Sequence, residues 1–119
     1  MEVIIKAAKL AEHTFQITGN KKRYSEKHKM LAFKIQECAL DIYRNLHTAN
    51  SLKMEIPDQM NERLTLQTKA IAACDELACM VEMSLNMGRI GTDTSAVWQK
   101  LITDVKYMSI SWRSKQKGR

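Results

Sequence analysis

At 119 residues the chain has the length of one domain and enough mass for a real core, since a domain of this size buries roughly two-thirds of its unfolded surface. Hydrophobic residues at 45% and charged residues at 27% exclude wholesale disorder, and 4 glycines with 1 proline exclude an architecture of many short strands and turns. The formal net charge of +6 is unevenly spread, and that unevenness carries the functional information.

The first predicted element opens near the start of the chain, where Ile4, Ala7, Ala8, Ala11 and Phe15 fall on one helical face and Gly19-Asn20 supplies a stop. A basic turn follows. Between Lys21 and Lys29 lie Lys21, Lys22, Arg23, Lys27 and Lys29 against Glu26, a net of +4. Ser25 is placed to cap the second helix, with Glu26 in its first turn, and Leu31, Ile35, Cys38, Ile42, Leu46 and Ala49 repeat at spacings of three and four. Ile56-Pro57-Asp58 then puts proline where a first helical turn accepts it. The third seam is Met60, Leu64, Ile71, Cys74, Ala78, Val81 and Leu85, interrupted by Gln67 and ending at Gly88, a helix of roughly 30 residues or about 45 Å. Thr92 or Asp93 caps the fourth, whose face is Trp98, Leu101, Val105, Met108 and Trp112.

Long helices joined by short turns predict an all-α, up-and-down four-helix bundle in a single domain over residues 1–119, with a basic tail at 113–119. Apolar residues off the main seams (Ile5, Leu40, Tyr43, Leu66, Leu77, Met80, Met83, Ile102, Ile110) exceed what one small bundle buries and point to an oligomer interface. Lys106, Arg113, Lys115, Lys117 and Arg119 form a second acid-free cluster of net +5, leaving the rest of the chain at −3. We expect the start of helix two and the end of helix four to lie at the same end of the bundle, so that turn and tail make one basic pole facing an anionic partner. The aromatics inside these basic segments are Tyr24, Tyr107 and Trp112, too few to predict base stacking, so backbone binding is expected.

Residues with catalytic or ligand chemistry do not assemble into a motif. Cys74 and Cys79 are five apart and diverge by roughly 140° on a helix, so they cannot chelate one metal, and Cys38 sits on another element. The three are expected to be reduced core thiols. His13, His28 and His47 fall on separate elements. Glu37 and Asp41 form an adjacent carboxylate pair, which Lys34 and Arg44 explain as ordinary surface ion pairing. Arg44 and His47 are separated by Asn45 and Leu46 alone, too close for the R-x4-6-H pattern of HEPN ribonucleases. With no Gly-rich phosphate loop, nucleophile elbow or H-E-x-x-H, the expectation is a non-enzyme without metal or cofactor. No signal peptide or apolar run of spanning length is visible, so a cytoplasmic location is expected, with no membrane contact.

A basic turn leading into "KIQECALDIYRNLHTAN", a long third helix, and a last helix "VWQKLITDVKYMSISWRSKQKGR" resemble the Avd family, the accessory variability determinants of diversity-generating retroelements. The likeness extends over about residues 20 to 116. It is carried by Lys34-Ile35, Ala39-Leu40-Asp41-Ile42, Ala49-Asn50 and Trp112 followed by bases; a sister family is encoded in bacterial ribosomal RNA intervening sequences. Members often carry glycines in the last helix where this chain has Lys106, Ile110 and Ser111, and proline where it has Tyr24. The resemblance implies a bacterial or phage-encoded homopentameric ring of four-helix bundles that binds RNA or DNA and the element's reverse transcriptase. Such a subunit supports template-RNA-primed mutagenic cDNA synthesis without doing chemistry. A pentamer would carry five times the chain's +6. The alternatives are a helical structural adaptor or a small HEPN-like ribonuclease.

Overall fold

The computed structural model describes residues 1–117, with side chains as far as Gln116. Four helices form the bundle: α1 (Glu2–Thr18), α2 (Lys29–Ser51), entered through a single 3-10 turn at Glu26–His28, α3 (Pro57–Asn86) and α4 (Thr92–Lys117). No strand occurs among the described residues. Each helix is antiparallel to the next; α1 packs on α2 and α4, and α3 on α2 and α4, in an elongated body of 49 × 22 × 19 Å.

The seams keep a three-four rhythm, which is the spacing that lets near-antiparallel helices interlock along their whole length. On α4 the buried positions are Ser95, Trp98, Ile102, Val105, Ser109 and Gln116, with Trp112 half-buried in the same register. On α3 they are Arg63, Gln67, Ala70, Ala73, Cys74, Leu77, Val81 and Ser84. The predicted α3 seam was therefore displaced to a neighbouring face: Gln67 does not interrupt the core but lies fully inside it, and Leu77 and Ile102, placed off the seams by sequence, are core residues. α1 is displaced too. Its buried face is Val3, Ala7, Leu10, Ala11, Thr14 and Ile17, whereas Phe15 is exposed. Threonine is tolerated there because the Thr14 hydroxyl donates to the Leu10 carbonyl at 2.8 Å and Thr18 to the Thr14 carbonyl at 2.8 Å, so each buried oxygen is satisfied by its own helix.

The helix ends use glycine in two different ways. Gly88 adopts φ 73°, and the amides of Gly88 and Arg89 return to the carbonyls of Leu85 and Ser84 at 3.0 and 2.8 Å, closing α3 with the paired bonds of a left-handed cap. Gly19 ends α1 at the predicted place for another reason. Its φ is −76°, open to any residue, but a Cβ there would stand 2.8 Å from the Phe15 carbonyl oxygen.

Strict alternation of direction overturns the expected single basic pole. A chain that reverses at every turn sets the start of its second helix beside the end of its third, and the fourth then runs back to the opposite end. Contacts fix this: Tyr24 donates to Ser84 at 2.9 Å and Arg89 to the Arg23 carbonyl at 3.3 Å at one end, while Arg113 donates to the Leu64 carbonyl at 3.3 Å and Arg63 to Gln116 at 2.5 Å at the other. The basic turn and the basic tail stand at opposite ends of a body 49 Å long.

His13 reports on α1–α4 packing. Its ring meets Trp98 edge-on at 6.5 Å, its Nε2 is buried without a partner, and burial lowers its pKa from the ordinary histidine value. The folded chain thus binds a proton there less readily than the unfolded chain. Its contribution is complete above the unfolded value, near 6.5, and is lost as pH falls from there through the lower folded value. Urea titrations between neutral pH and pH ~5 are expected to show this loss, and His13→Gln to flatten that part of the profile.

Candidate nucleic-acid interface

The segment joining α1 to α2 is held rather than loose. Asn20 organises it: its side-chain oxygen accepts the Lys22 amide at 2.9 Å, and its carbonyl accepts the amides of Arg23 and Tyr24 at 3.1 and 2.9 Å. Tyr24 folds inward to 5% exposure and bonds Ser84 on α3; burial is the main reason its hydroxyl is pushed above the ordinary tyrosine value. It is therefore unavailable for stacking. Anchoring Tyr24 leaves Lys21 and Lys22 exposed and Arg23 half-buried, with Lys27 and Lys29 exposed on the next turn. Glu26 approaches Lys29 at 3.4 Å, but both side chains stand in solvent, where such a pair contributes little.

Arg89, just past the glycine cap of α3, joins these bases through its bond to the Arg23 carbonyl. At this loop pole Lys21, Lys22, Arg23, Lys27, Lys29 and Arg89 face Glu26, Glu82 and Asp93 among the described residues. Sequence periodicity could not associate Arg89 with them, because it lies 66 residues from Arg23 and comes close only through the antiparallel return of α3.

The tail pole is different in kind. α4 continues unbroken through Lys117, so the tail from 113 onward is helix as far as it is described. Lys115 is exposed and Arg113 half-buried, near the α2–α3 turn and the first turns of α3, which bring Lys53 and Arg63 as well as Glu55, Asp58 and Glu62. The Lys117 side chain and Arg119 lie outside the described residues. Lys106 belongs to neither pole: it bonds Asp75 across α3–α4 at 2.8 Å, and that bond is the main cause of its raised pKa. Trp112 is held by the Arg63 guanidinium, 5.0 Å from its ring centroid, and Tyr107 carries the Lys106 ammonium 5.6 Å from its own.

Beside the loop pole, the end of α1, the connecting segment and the first turns of α2 enclose an open groove of about 990 Å³. Its lining includes Lys21, Lys27 and Lys29 and two exposed apolar side chains, Met30 and Phe33. Phe33 was missed in the sequence because it lies just beyond the basic run, yet one helical turn brings it back beside Lys29.

The remaining chemistry is dispersed. Cys38 and Cys74 are buried, their thiols pushed up to about 12 chiefly by burial, and Cys38 donates to the Ala73 carbonyl at 3.2 Å; Cys79 is exposed. Glu37 pairs with Lys34 at 3.7 Å and Asp41 with Arg44, each within α2. Among the described residues no three of His, Cys, Asp and Glu converge as metal ligands, and no helix is long and apolar enough to cross a membrane. Comparison with protein-family models, with curated proteins and with solved structures finds no match for this chain.

Proposed function

We propose that this chain is a non-catalytic accessory protein that binds RNA or DNA through phosphates and serves a reverse transcriptase, in the manner the Avd resemblance implies. The observation that carries the nucleic-acid part is the gathering of bases from two chain segments, residues 21–29 and Arg89, at one end of the bundle, on a loop pinned by Asn20 and Tyr24. A pinned loop presents its charges without first losing conformational entropy, and each neutralised phosphate releases condensed counterions. The main contact belongs to the loop pole; the tail supplies a separate and weaker one, because Glu55, Asp58 and Glu62 offset part of its charge and Arg63 and Arg113 are engaged by neighbouring helices.

Replacing Lys21, Lys22 and Arg23 by Gln is expected to weaken binding and to flatten log K against log salt by about 0.7 per lost contact on single strands and about 0.9 on duplex, with helicity unchanged. Arg113→Gln with Lys115→Gln should do markedly less. Wild-type protein that fails to retain RNA or DNA at low salt overturns the reading. The assembly is a homopentameric ring in this proposal, supported by the exposure of Ile5, Phe15, Met83, Met87 and Val97. Light scattering reads the ring directly, and co-purification with the element's reverse transcriptase reads the partner.

A further inference from the structure

The groove at the loop pole combines two chemistries that phosphate binding alone does not need. Phe33 is 53% exposed and Met30 71%, both on the first turns of α2, where the core-facing positions are Ala32 and Ile35. Their wall is rigid: Gln36 on α2 donates to Thr18 on α1 at 2.8 Å, tying the two helices together at the groove. The rim is Lys21, Lys27 and Lys29, opposed by Glu26. An exposed ring flanked by bases on a fixed surface is the arrangement by which proteins take single strands, because every base has a face that stacks while the cations follow the backbone. A duplex keeps its bases stacked inside and offers the ring nothing. At about 990 Å³ the groove is as large as the upper range of small-ligand pockets, room for a base with its sugar.

We infer that this groove is a subsite for single-stranded nucleic acid, in which an unstacked base packs on the Phe33 ring while Lys21, Lys27 and Lys29 hold the flanking phosphates. The inference rests on the phosphate-binding reading above and adds the strand state that is selected. Met30, one turn before Phe33 on the same wall, extends the apolar surface beside the ring, its flexible thioether adapting to purine or pyrimidine, so base identity is not read.

The test is fluorescence anisotropy with labelled oligothymidylate and a labelled DNA duplex of equal length, using the wild-type chain, Phe33→Ala and Phe33→Trp. Exposure of Phe33 means that neither substitution removes core packing, and helicity by circular dichroism checks this. Phe33→Ala is expected to weaken oligothymidylate about tenfold while leaving duplex affinity and the salt slope unchanged. Phe33→Trp restores the affinity, and its new indole emission is quenched by oligothymidylate. If Phe33→Ala leaves oligothymidylate affinity intact while the Lys21, Lys22 and Arg23 replacements still lower it, the subsite is wrong and the phosphate reading stands. A wild-type chain that binds neither probe removes both. If it instead takes an oligoglutamate peptide bearing one phenylalanine, through Phe33 and in preference to oligothymidylate, the groove is a peptide site and the inference is overturned.

Discussion

Trp98→Ala is expected to destabilise the bundle by about 3–5 kcal/mol, a large share of the roughly 5–15 kcal/mol that holds a domain of this kind folded. Trp98 is the largest fully buried side chain, at the contact of α4 with α1. Its indole N–H donates to the Thr14 hydroxyl at 3.0 Å, which itself donates to the Leu10 carbonyl at 2.8 Å. Truncation therefore leaves a cavity the rigid helices cannot close and also removes the donor to the Thr14 hydroxyl, which keeps its own bond to Leu10. Trp98→Phe separates the two effects, because it keeps most of the volume and removes the donor, and should cost nearer ~1 kcal/mol. Chemical denaturation of the two variants checks the order; equal losses would mean that the hydrogen bond, not the volume, dominates.

Arg63→Ala is expected to cost about 3 kcal/mol and to lower the melting midpoint by roughly 10 °C. Arg63 is 7% exposed on the α3 seam, and no carboxylate pairs with it among the described ion pairs. Burial alone pulls its pKa below the ordinary arginine value. Its charge is met instead by dipoles and a ring: it donates to the carbonyls of Ala49 and Leu52 at 3.2 and 2.8 Å, to Gln116 at 2.5 Å, and lies over Trp112. One guanidinium thus caps the end of α2 and fastens the last turns of α4 to α3. Arg63→Lys should recover less than half of the loss, since a single ammonium cannot reach all three acceptors in the geometry of the planar fork. Amide exchange localises the effect: the final turns of α4 are expected to lose protection in Arg63→Ala before the turns around Trp98 do.

Much of the fold was legible because long helices repeat their packing signal. The α2 seam is buried as its spacing predicts at Ile35, Cys38, Ile42, Leu46 and Ala49, with Leu31 only half-buried at its start, and Pro57 stands at the start of α3. What misled were residues whose polarity hides their position. Thr14, Gln67, Ser84, Ser109 and Arg63 occupy heptad sites but carry polar groups, so a search for apolar stripes slid to the adjacent face on α1 and α3. Thr14, Ser109 and Arg63 are satisfied by carbonyls of their own or a neighbouring helix, and Ser84 by Tyr24. A stripe of sequence cannot display such partners. The groove beside the loop pole was hidden in the same way: the three aromatics inside the basic segments are buried or engaged by cations, and the exposed ring of the groove, Phe33, lies outside them.

The sequence by itself determined that this is a helical chain with few turns, that its basic charge is confined to two segments, and which stretches become helices, since each of these depends on local spacing and composition. The up-and-down order expected from the sequence already implies opposite ends for those segments, which the expected single pole misjudged; only the tertiary structure decided which further residues stand with each of them. Helix direction alternates with every turn, so two basic segments at the start of α2 and the end of α4 are carried to opposite poles, and Arg89 is brought to the first of them by the return of α3. The physical reason is that periodicity specifies which face of a helix is buried, whereas the end at which a side chain emerges depends on antiparallel packing over the full length of its neighbours.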